Sequence, residues 1–261
     1  MDSIVEPRDR YILRKRLMLI ERDIRALDKK NIHILDRSML KSCKVRVLPL
    51  SFDARDSLAP KFFTSFAPEN MPEPTPEYVE KEYDTNSLKM SNEYGRLIYI
   101  YLDSYIRRLK IDFPQVQQTW SSNQIADYKF DNLYRMFEPE HGTLLLSHVA
   151  NAAQPHIKCI MHNDLDVNDG NLLCGEILTV IRIMLGQLKR KMFVNDMIAP
   201  VLLFALNRRY PRAIEAYFDG QELLIRRTKS YDFTSLNTAG FKDFAQWFLG
   251  ESIGDTSRER I

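Results

Sequence analysis

The sequence predicts an α+β protein in which a mostly helical N-terminal half packs on a small mixed sheet with a C-terminal β-hairpin. Apolar residues recur at helical spacing from Leu13 to Leu27, and the apolar run from Ala199 to Leu206 is typical of a buried strand. Asp219-Gly220 stands between two alternating segments, as in a two-residue hairpin turn. With 261 residues, 44% of them hydrophobic, the chain can form one large domain or two small ones.

The first predicted element is a long amphipathic helix that begins after Pro7. Its apolar positions are spaced by 4, 3, 4 and 3 residues, which is a heptad pattern. This pattern predicts a coiled coil through which the protein associates with a second copy of itself, with Asn31 at a register-setting position. The alternative is that the same residues pack on the helix's own domain. The predicted self-association residues are Leu13, Leu17, Ile20, Ile24 and Leu27.

Composition divides the chain into four segments. Residues 1–50 hold the helix and a short strand from Lys44 to Leu50, which Pro49 ends near a sheet edge. Residues 51–88 contain five of the twelve prolines and a run of acids, which is typical of an extended linker. Residues 89–250 are predicted to form the α+β core, and the polar residues 251–261 a disordered tail.

Apolar stripes predict four helices in the core segment. A buried strand from Pro200 to Leu206 is expected to be covered on both faces. The helix from Leu172 to Lys191 is expected to cover one of them. The helices are expected at Leu97 to Leu109, at a segment with Ile125, Leu133 and Phe137 that Ser121 or Ser122 caps, at Leu172 to Lys191, and at Phe241 to Leu249.

The hairpin is predicted from Arg212 to Thr228. A two-residue turn at Asp219-Gly220 pairs Phe218 with Gln221 and Ala216 with Leu223, which places the apolar residues on a core face. The opposite face, expected to be wet, carries Glu215, Tyr217, Glu222 and Arg226.

Cations concentrate around this hairpin, although the whole chain has a net charge of only +2. Cations interleaved with tyrosines can bind an acidic protein surface or a nucleic-acid strand. The alternative is a solvated face whose arginines pair with Glu215 and Glu222. The predicted partner- or anion-binding residues are Arg208, Arg209, Arg212, Arg226, Arg227, Lys229 and Tyr217.

A possible zinc site is formed by His156, Cys159 and His162, which are spaced as ligands on one side of a helix or loop. Structural zinc needs four ligands and no second pair is present, so ordinary buried histidines are the alternative. Cys159 or Cys174 could also act as a nucleophile with His162 as base, but no activating turn motif surrounds either cysteine.

A possible calcium loop follows, at Asp164, Asp166 and Asn168. The glycine and the final acid of such a loop are each displaced by one position, and a turn that caps the helix at Leu172 with Asp169 or Asn171 explains the same residues. No glycine-rich phosphate-binding motif occurs, which disfavours a nucleotide cofactor. The expectation is therefore no cofactor, with a divalent metal as the alternative.

The three cysteines have unrelated spacings and the N-terminus is polar, which predicts an intracellular protein of the cytoplasm or nucleus. The longest apolar run has eight residues, whereas about 20 are needed to cross a bilayer. No membrane partner is expected.

Residues 175–233 contain four blocks, GEILTVIRIMLGQL, MIAPVLLF, RAIEAYFDG and LIRRTKSYDF. They resemble a set of functionally uncharacterised intracellular proteins of filamentous fungi. The order of helix, strand and hairpin is also similar to the C-terminal half of PD-(D/E)xK nuclease-like domains. Catalysis in that fold requires an Asp and a Glu-x-Lys on adjoining strands. Because no Glu-x-Lys precedes the helix at Leu172, the resemblance implies a copy that has lost the chemistry.

Three functions remain compatible with the sequence. The first is a non-enzymatic interaction or regulatory protein that uses the N-terminal helix for self-association and the basic hairpin for an acidic partner. The second is a nuclease-like or other metal-dependent enzyme. The third is a nucleic-acid-binding module that uses the basic hairpin without catalysis.

Overall fold

The computed structural model describes residues 6–53, 56–66, 68–90, 93–117, 119–124, 131–136 and 139–257. Within these ranges the α-helices are α1 (Arg8–Asp28), α2 (Arg37–Ser42), α3 (Pro76–Val79), α4 (Glu93–Asp112), α5 (Cys174–Leu188) and α6 (Thr238–Leu249). The strands are β1 (Ile34–Leu35), β2 (Val45–Pro49), β3 (Trp120–Gln124), β4 (Tyr134–Arg135), β5 (His141–Val149), β6 (Ile157–Asn163), β7 (Leu172–Leu173), β8 (Val201–Asn207), β9 (Arg212–Phe218) and β10 (Leu223–Arg227).

The α+β class is confirmed, but the sheet is larger than the small sheet that we expected. It has eight strands in the order β2-β10-β9-β8-β6-β5-β3, with β4 also paired to β5. The pairs β2 with β10 and β6 with β8 are parallel, and the other pairs are antiparallel. Helix α5 connects the parallel strands β6 and β8, as a parallel connection requires.

Helices cover both faces of this sheet. One apolar core contains residues of α1 and α5, and the other contains residues of α4 and α6. Strand β8 contributes alternate residues to each core, with Leu203 in the first and Phe204 in the second, and all seven of its residues are buried. The expectation of a central strand covered on both faces is therefore confirmed.

The stripe predicted for self-association lies inside the protein. Leu13, Leu17, Ile20 and Ile24 are buried, and Leu27 packs partly buried against the same core. Helix α1 packs on α5, so the protein's own helix fills the position of the expected second copy. The coiled-coil prediction is corrected in favour of its alternative, because one apolar stripe cannot face two partners.

The hairpin register differs from the predicted one by two residues. Leu223 pairs with Phe218 and Ile225 with Ala216, so the turn has four residues, not two. The Asp219 carboxylate accepts hydrogen bonds from the backbone N–H groups of Gln221 and Glu222, which stabilises this wider turn. A shift by two leaves each side chain on its expected face, since the side-chain period of a strand is two.

The face of the hairpin that was expected to be wet is covered by the predicted linker. The Glu215 carboxylate accepts the backbone N–H groups of Lys61 and Phe62, and Arg226 donates to the carbonyls of Leu58 and Ala59. Glu215, Tyr217 and Arg226 are therefore buried. Backbone groups of this segment therefore satisfy the charged side chains beneath it.

Two further expectations need correction. Ser121 and Ser122 lie in β3 instead of capping a helix, and Leu133 lies in a short 3-10 turn, while Ile125 and Phe137 fall outside the described residues. The tail is packed as far as residue 257, because Ser252 pairs with Phe63 and buried Thr256 donates to Asp196. Residues 258–261 lie outside the described part of the chain.

Residues 8–49 contribute to the same sheet and cores as later parts of the chain. Strand β2 pairs with β10, and α1 packs on α5. None of the helices in the described ranges is both long and apolar enough to span a bilayer.

Replacing Leu17 with Ala tests the packing of α1. Leu17 is fully buried at 0% exposure, so the substitution leaves a cavity and should lower the free energy of unfolding by about 2–5 kcal/mol. Leu19→Ala on the same helix is the control, because Leu19 is 49% exposed and its loss should change stability by no more than about 0.5 kcal/mol. Chemical denaturation measures both, and equal effects would contradict the packing described here.

Candidate functional site

The three residues predicted to hold zinc are not brought together. They belong to β6 and the residue before it, and successive side chains of a strand point to opposite faces. Cys159 lies in the core beneath α5 with its thiol on Thr143, whereas His162 lies near Glu140 on the other face. His156 uses its Nε2 for the carbonyl of Ile253, at 2.8 Å. Within the described ranges, no three potential ligand side chains cluster as a metal site requires.

The predicted calcium loop is held by an arginine. Arg208 Nε lies 2.9 Å from Asp164 Oδ1, and its Nη1 lies 2.8 Å from Asp166 Oδ2. Asn168 Oδ1 accepts the N–H of Gly170, which makes a local turn. The carboxylates therefore have a cation already, and the oxygens of this loop act within the fold.

The two cysteines considered as nucleophiles are held as thiols. Burial raises the pKa of Cys159 to about 12 and that of Cys174 also to about 12. The Cys174 thiol donates to the carbonyl of Ile32, at 3.2 Å. A protonated, buried thiol is a poor nucleophile, so neither cysteine has the environment of a reactive one.

A buried ionic network lies where the parallel strands β6 and β8 end. Arg212 donates to both carboxylate oxygens of Glu176, at 2.8 and 2.5 Å, and both side chains are 0% exposed. Asn207 donates to Glu176 Oε1 and accepts from Asn163, while the backbone N–H of Leu173 donates to Oε2. The carboxylate accepts four hydrogen bonds, so this network orients α5 and offers no ligand position.

The basic hairpin does not present its cations as one surface. β9 and β10 lie inside the sheet between β8 and β2, so Arg212 and Arg226 are buried in ion pairs with Glu176 and Glu215. Arg208 is held by Asp164 and Asp166. Arg209 stacks over Tyr94, and Tyr217 is buried beneath Lys61. The last two predicted residues, Arg227 and Lys229, line a groove at the edge of the sheet.

This groove is an open cleft of about 1110 Å³ beside β2. Its apolar lining includes Leu40, Val47 and Phe52. The lining also holds five cations and two acids, which give it a net charge of +3. The cations are Arg37, Lys41, Arg46, Arg227 and Lys229, and the acids are Asp169 and Glu222. We call it the β2 groove.

Strand β2 borders the β2 groove with free backbone groups. Lys44 O accepts the N–H of Leu223 and Leu50 N–H donates to Arg227 O, so the even-numbered residues face β10. The N–H and C=O groups of Val45 and Val47 consequently point outward, because the two groups of one residue share a side. No other strand in the described ranges pairs with this outer edge.

Of the groove's cations, the sequence pattern predicted Arg227 and Lys229. It did not predict Arg37, Lys41 and Arg46, because only the pairing of β2 with β10 brings the two groups close together. The available signal was the predicted strand from Lys44 to Leu50, whose Pro49 was expected near an edge. That edge position is confirmed, since β2 ends the strand order.

No protein-family model, curated protein or solved structure matches the chain. Its function is therefore inferred from its own residues.

Replacing Arg212 with Met tests the buried network. Glu176 would keep a buried charge without its cation, which should lower the free energy of unfolding by about 3–5 kcal/mol. Arg208→Met is the matched control, because its ion pairs are partly exposed and should contribute about 1 kcal/mol or less. Adding Glu176→Gln to Arg212→Met should restore part of the loss in denaturation experiments. Equal effects of the two single variants would overturn this assignment.

The buried histidines predict a loss of stability in acid. Burial lowers the pKa of His156 and of His162 from 6.5 to about 4, so between these values the unfolded chain binds protons that the folded chain does not. The free energy of unfolding is therefore highest above pH 6.5. It falls towards pH 4 by up to about 1.4 kcal/mol per pH unit for each histidine. His162→Leu should flatten the measured dependence of unfolding free energy on pH. An unchanged slope would contradict the burial of this imidazole.

Proposed function

We propose that the protein is a non-enzymatic intracellular interaction or regulatory protein whose β2 groove receives an extended acidic segment of another protein. The segment would add to the sheet as a strand beside β2. The observation that carries the proposal is the open edge of β2, with outward backbone groups and cations on either side.

The backbone of β2 supplies the first part of the recognition. Val45 and Val47 each offer an N–H and a C=O, and the five residues of β2 span about 17 Å. An extended peptide of similar length can pair with such an edge through its main chain, and side-chain pockets then provide the specificity. Val47 and Phe52 line the groove and would contact alternate apolar side chains of the partner.

The charge of the β2 groove supplies the second part. Asp169 already lies 3.4 Å from Arg227, and Glu222 lies 4.0 Å from Arg46. Arg37, Lys41 and Lys229 are exposed and have no ion pair within the described part of the chain. Unpaired cations beside an open edge favour a partner with Asp or Glu, and they raise its association rate.

The alternatives fit this geometry less well. A nucleic-acid strand has phosphates for the cations, but it has no amide backbone to pair with β2. A nuclease-like enzyme needs carboxylates on adjoining strands, and the sequences of β5 and β6 contain no Asp or Glu. The interaction function uses both the edge and the charge.

A displayed library of random eight-residue peptides, selected on the full-length chain, tests the proposal. Selected peptides should alternate acidic with β-branched or aromatic residues, and added salt should weaken their binding. The double variant Lys41→Glu with Lys229→Glu should bind a selected peptide at least about tenfold more weakly, since each lost charge pair contributes on the order of 1 kcal/mol. Val47→Pro, which removes one outward N–H, should also weaken it.

Lys15→Glu is the control, because Lys15 is exposed on α1 and does not line the β2 groove. The proposal fails if selection enriches no acidic alternating peptides or if the Lys41→Glu, Lys229→Glu chain binds them as well as the parent. It also fails if a single-stranded oligonucleotide binds more tightly than the peptides and displaces them. That last result would support the nucleic-acid alternative.

A further inference from the structure

A second, smaller cavity lies where α1 ends beside α5 and β4. Its volume is about 260 Å³, just below the usual range of about 300–1000 Å³ for pockets that hold drug-sized ligands. Four permanent cations line it: Arg25 and Lys29 from α1, Arg135 from β4 and Arg182 from α5. The cavity therefore has the size for a small ligand and the charge for an anion.

The acids nearby neutralise only part of this charge. Asp28 accepts hydrogen bonds from Arg135 and from His33, and Glu21 accepts from Arg182. The side chains of Arg25 and Lys29 are exposed and form no ion pair or hydrogen bond within the described residues. Two of the four cations thus remain available to a ligand.

His141 forms part of the wall of this cavity and is 6% exposed. Its ring makes no hydrogen bond within the described part of the chain, and neither ring nitrogen is sealed from solvent. The ring is held against Gly175, where an added Cβ would lie 2.9 Å from His141 Cγ. The packing thus fixes a polar ring in the cavity wall, with nitrogens that a ligand can reach.

The end of a helix attracts cations by itself, because the α1 carbonyls carry partial negative charge. That effect accounts for Arg25 and Lys29, which lie in and just after the last turn of α1. It does not account for Arg135 and Arg182, which come from two other elements, or for the accessible imidazole of His141 in the same wall. The convergence of three elements is what a ligand site requires.

We propose that this cavity binds a small phosphate dianion, either inorganic phosphate or the phosphate group of a monoester. The Arg25 and Lys29 side chains would close over the anion, and Arg182 and His141 would donate to its inner oxygens. Charge-assisted bonds of this kind are short and strong, and arginine matches phosphate geometry. The proposal is independent of the β2 groove, which involves other residues.

Calorimetric titration of the full chain with inorganic phosphate and with glycerol phosphate, in chloride buffer of matched ionic strength, tests it. Either ligand should bind at one site and raise Tm. Binding should also raise the pKa of His141, which burial lowers to about 4, and shift its assigned ring signal in NMR spectra, while the signal of His156 stays in place. A response to both ligands identifies a monoester site, and a response to inorganic phosphate alone identifies a closed phosphate site.

Arg25→Ala and Lys29→Ala should each weaken phosphate binding about tenfold, the loss expected for one charge-assisted contact of about 1.4 kcal/mol. Both side chains are exposed and form no ion pair within the described part of the chain, so the fold should be retained and Tm without ligand should stay unchanged. Arg22→Ala is the matched control, because Arg22 lies on the same helix but pairs with Asp23 outside the cavity. The proposal is overturned if neither ligand moves the His141 signal, or if Arg22→Ala weakens binding as much as Lys29→Ala does.

Discussion

The buried pair of Glu176 and Arg212 sets the position of most other parts of the molecule. Removing two charges from water costs several kcal/mol for each ion, so the pair is stable only when its remaining lone pairs are also satisfied. Asn207 and Leu173 satisfy them, and the pair thereby joins the first turn of α5 to β8 and β9. α1 packs on α5, and β10 and β2 follow β9 across the sheet. The small cavity and the β2 groove therefore both depend on this one interaction.

Most of the helices and the central strand could be predicted because their signals are local. Apolar periodicity within one segment indicated α1, α4, α5, α6 and β8, and alternation indicated β2. Strand β6 could not be found this way, since its buried residues include Lys158 and His162. The Lys158 amino group donates to the carbonyls of Phe248 and Gly250, where α6 ends, and burial lowers its pKa well below the usual value. The carbonyls at a distant helix end thus satisfy the polar group that makes the sequence of this strand look exposed.

The same reason limits what the sequence reveals about function. The cations near the hairpin are visible in the sequence, but their burial depends on which segment covers them. Arg226 is covered because residues 58 and 59 turn their carbonyls towards it. The β2 groove joins residues 37–46 with residues 227–231, and only the pairing of β2 with β10 brings them together. No local sequence pattern predicts that pairing. Pro49 indicates only that β2 lies near the edge of a sheet.

The pairing of β2 with β10 also has a consequence during protein synthesis. Val45 leaves the ribosome long before Leu223, its neighbour in the sheet, has been translated. Contacts between such distant residues form late, and unpaired strands expose the nascent chain to aggregation in the meantime. Lys44 and Arg46 flank the β2 valines, and charges of this kind discourage strand-to-strand association. Cations beside an edge strand oppose such association whether or not the rest of the sheet has formed.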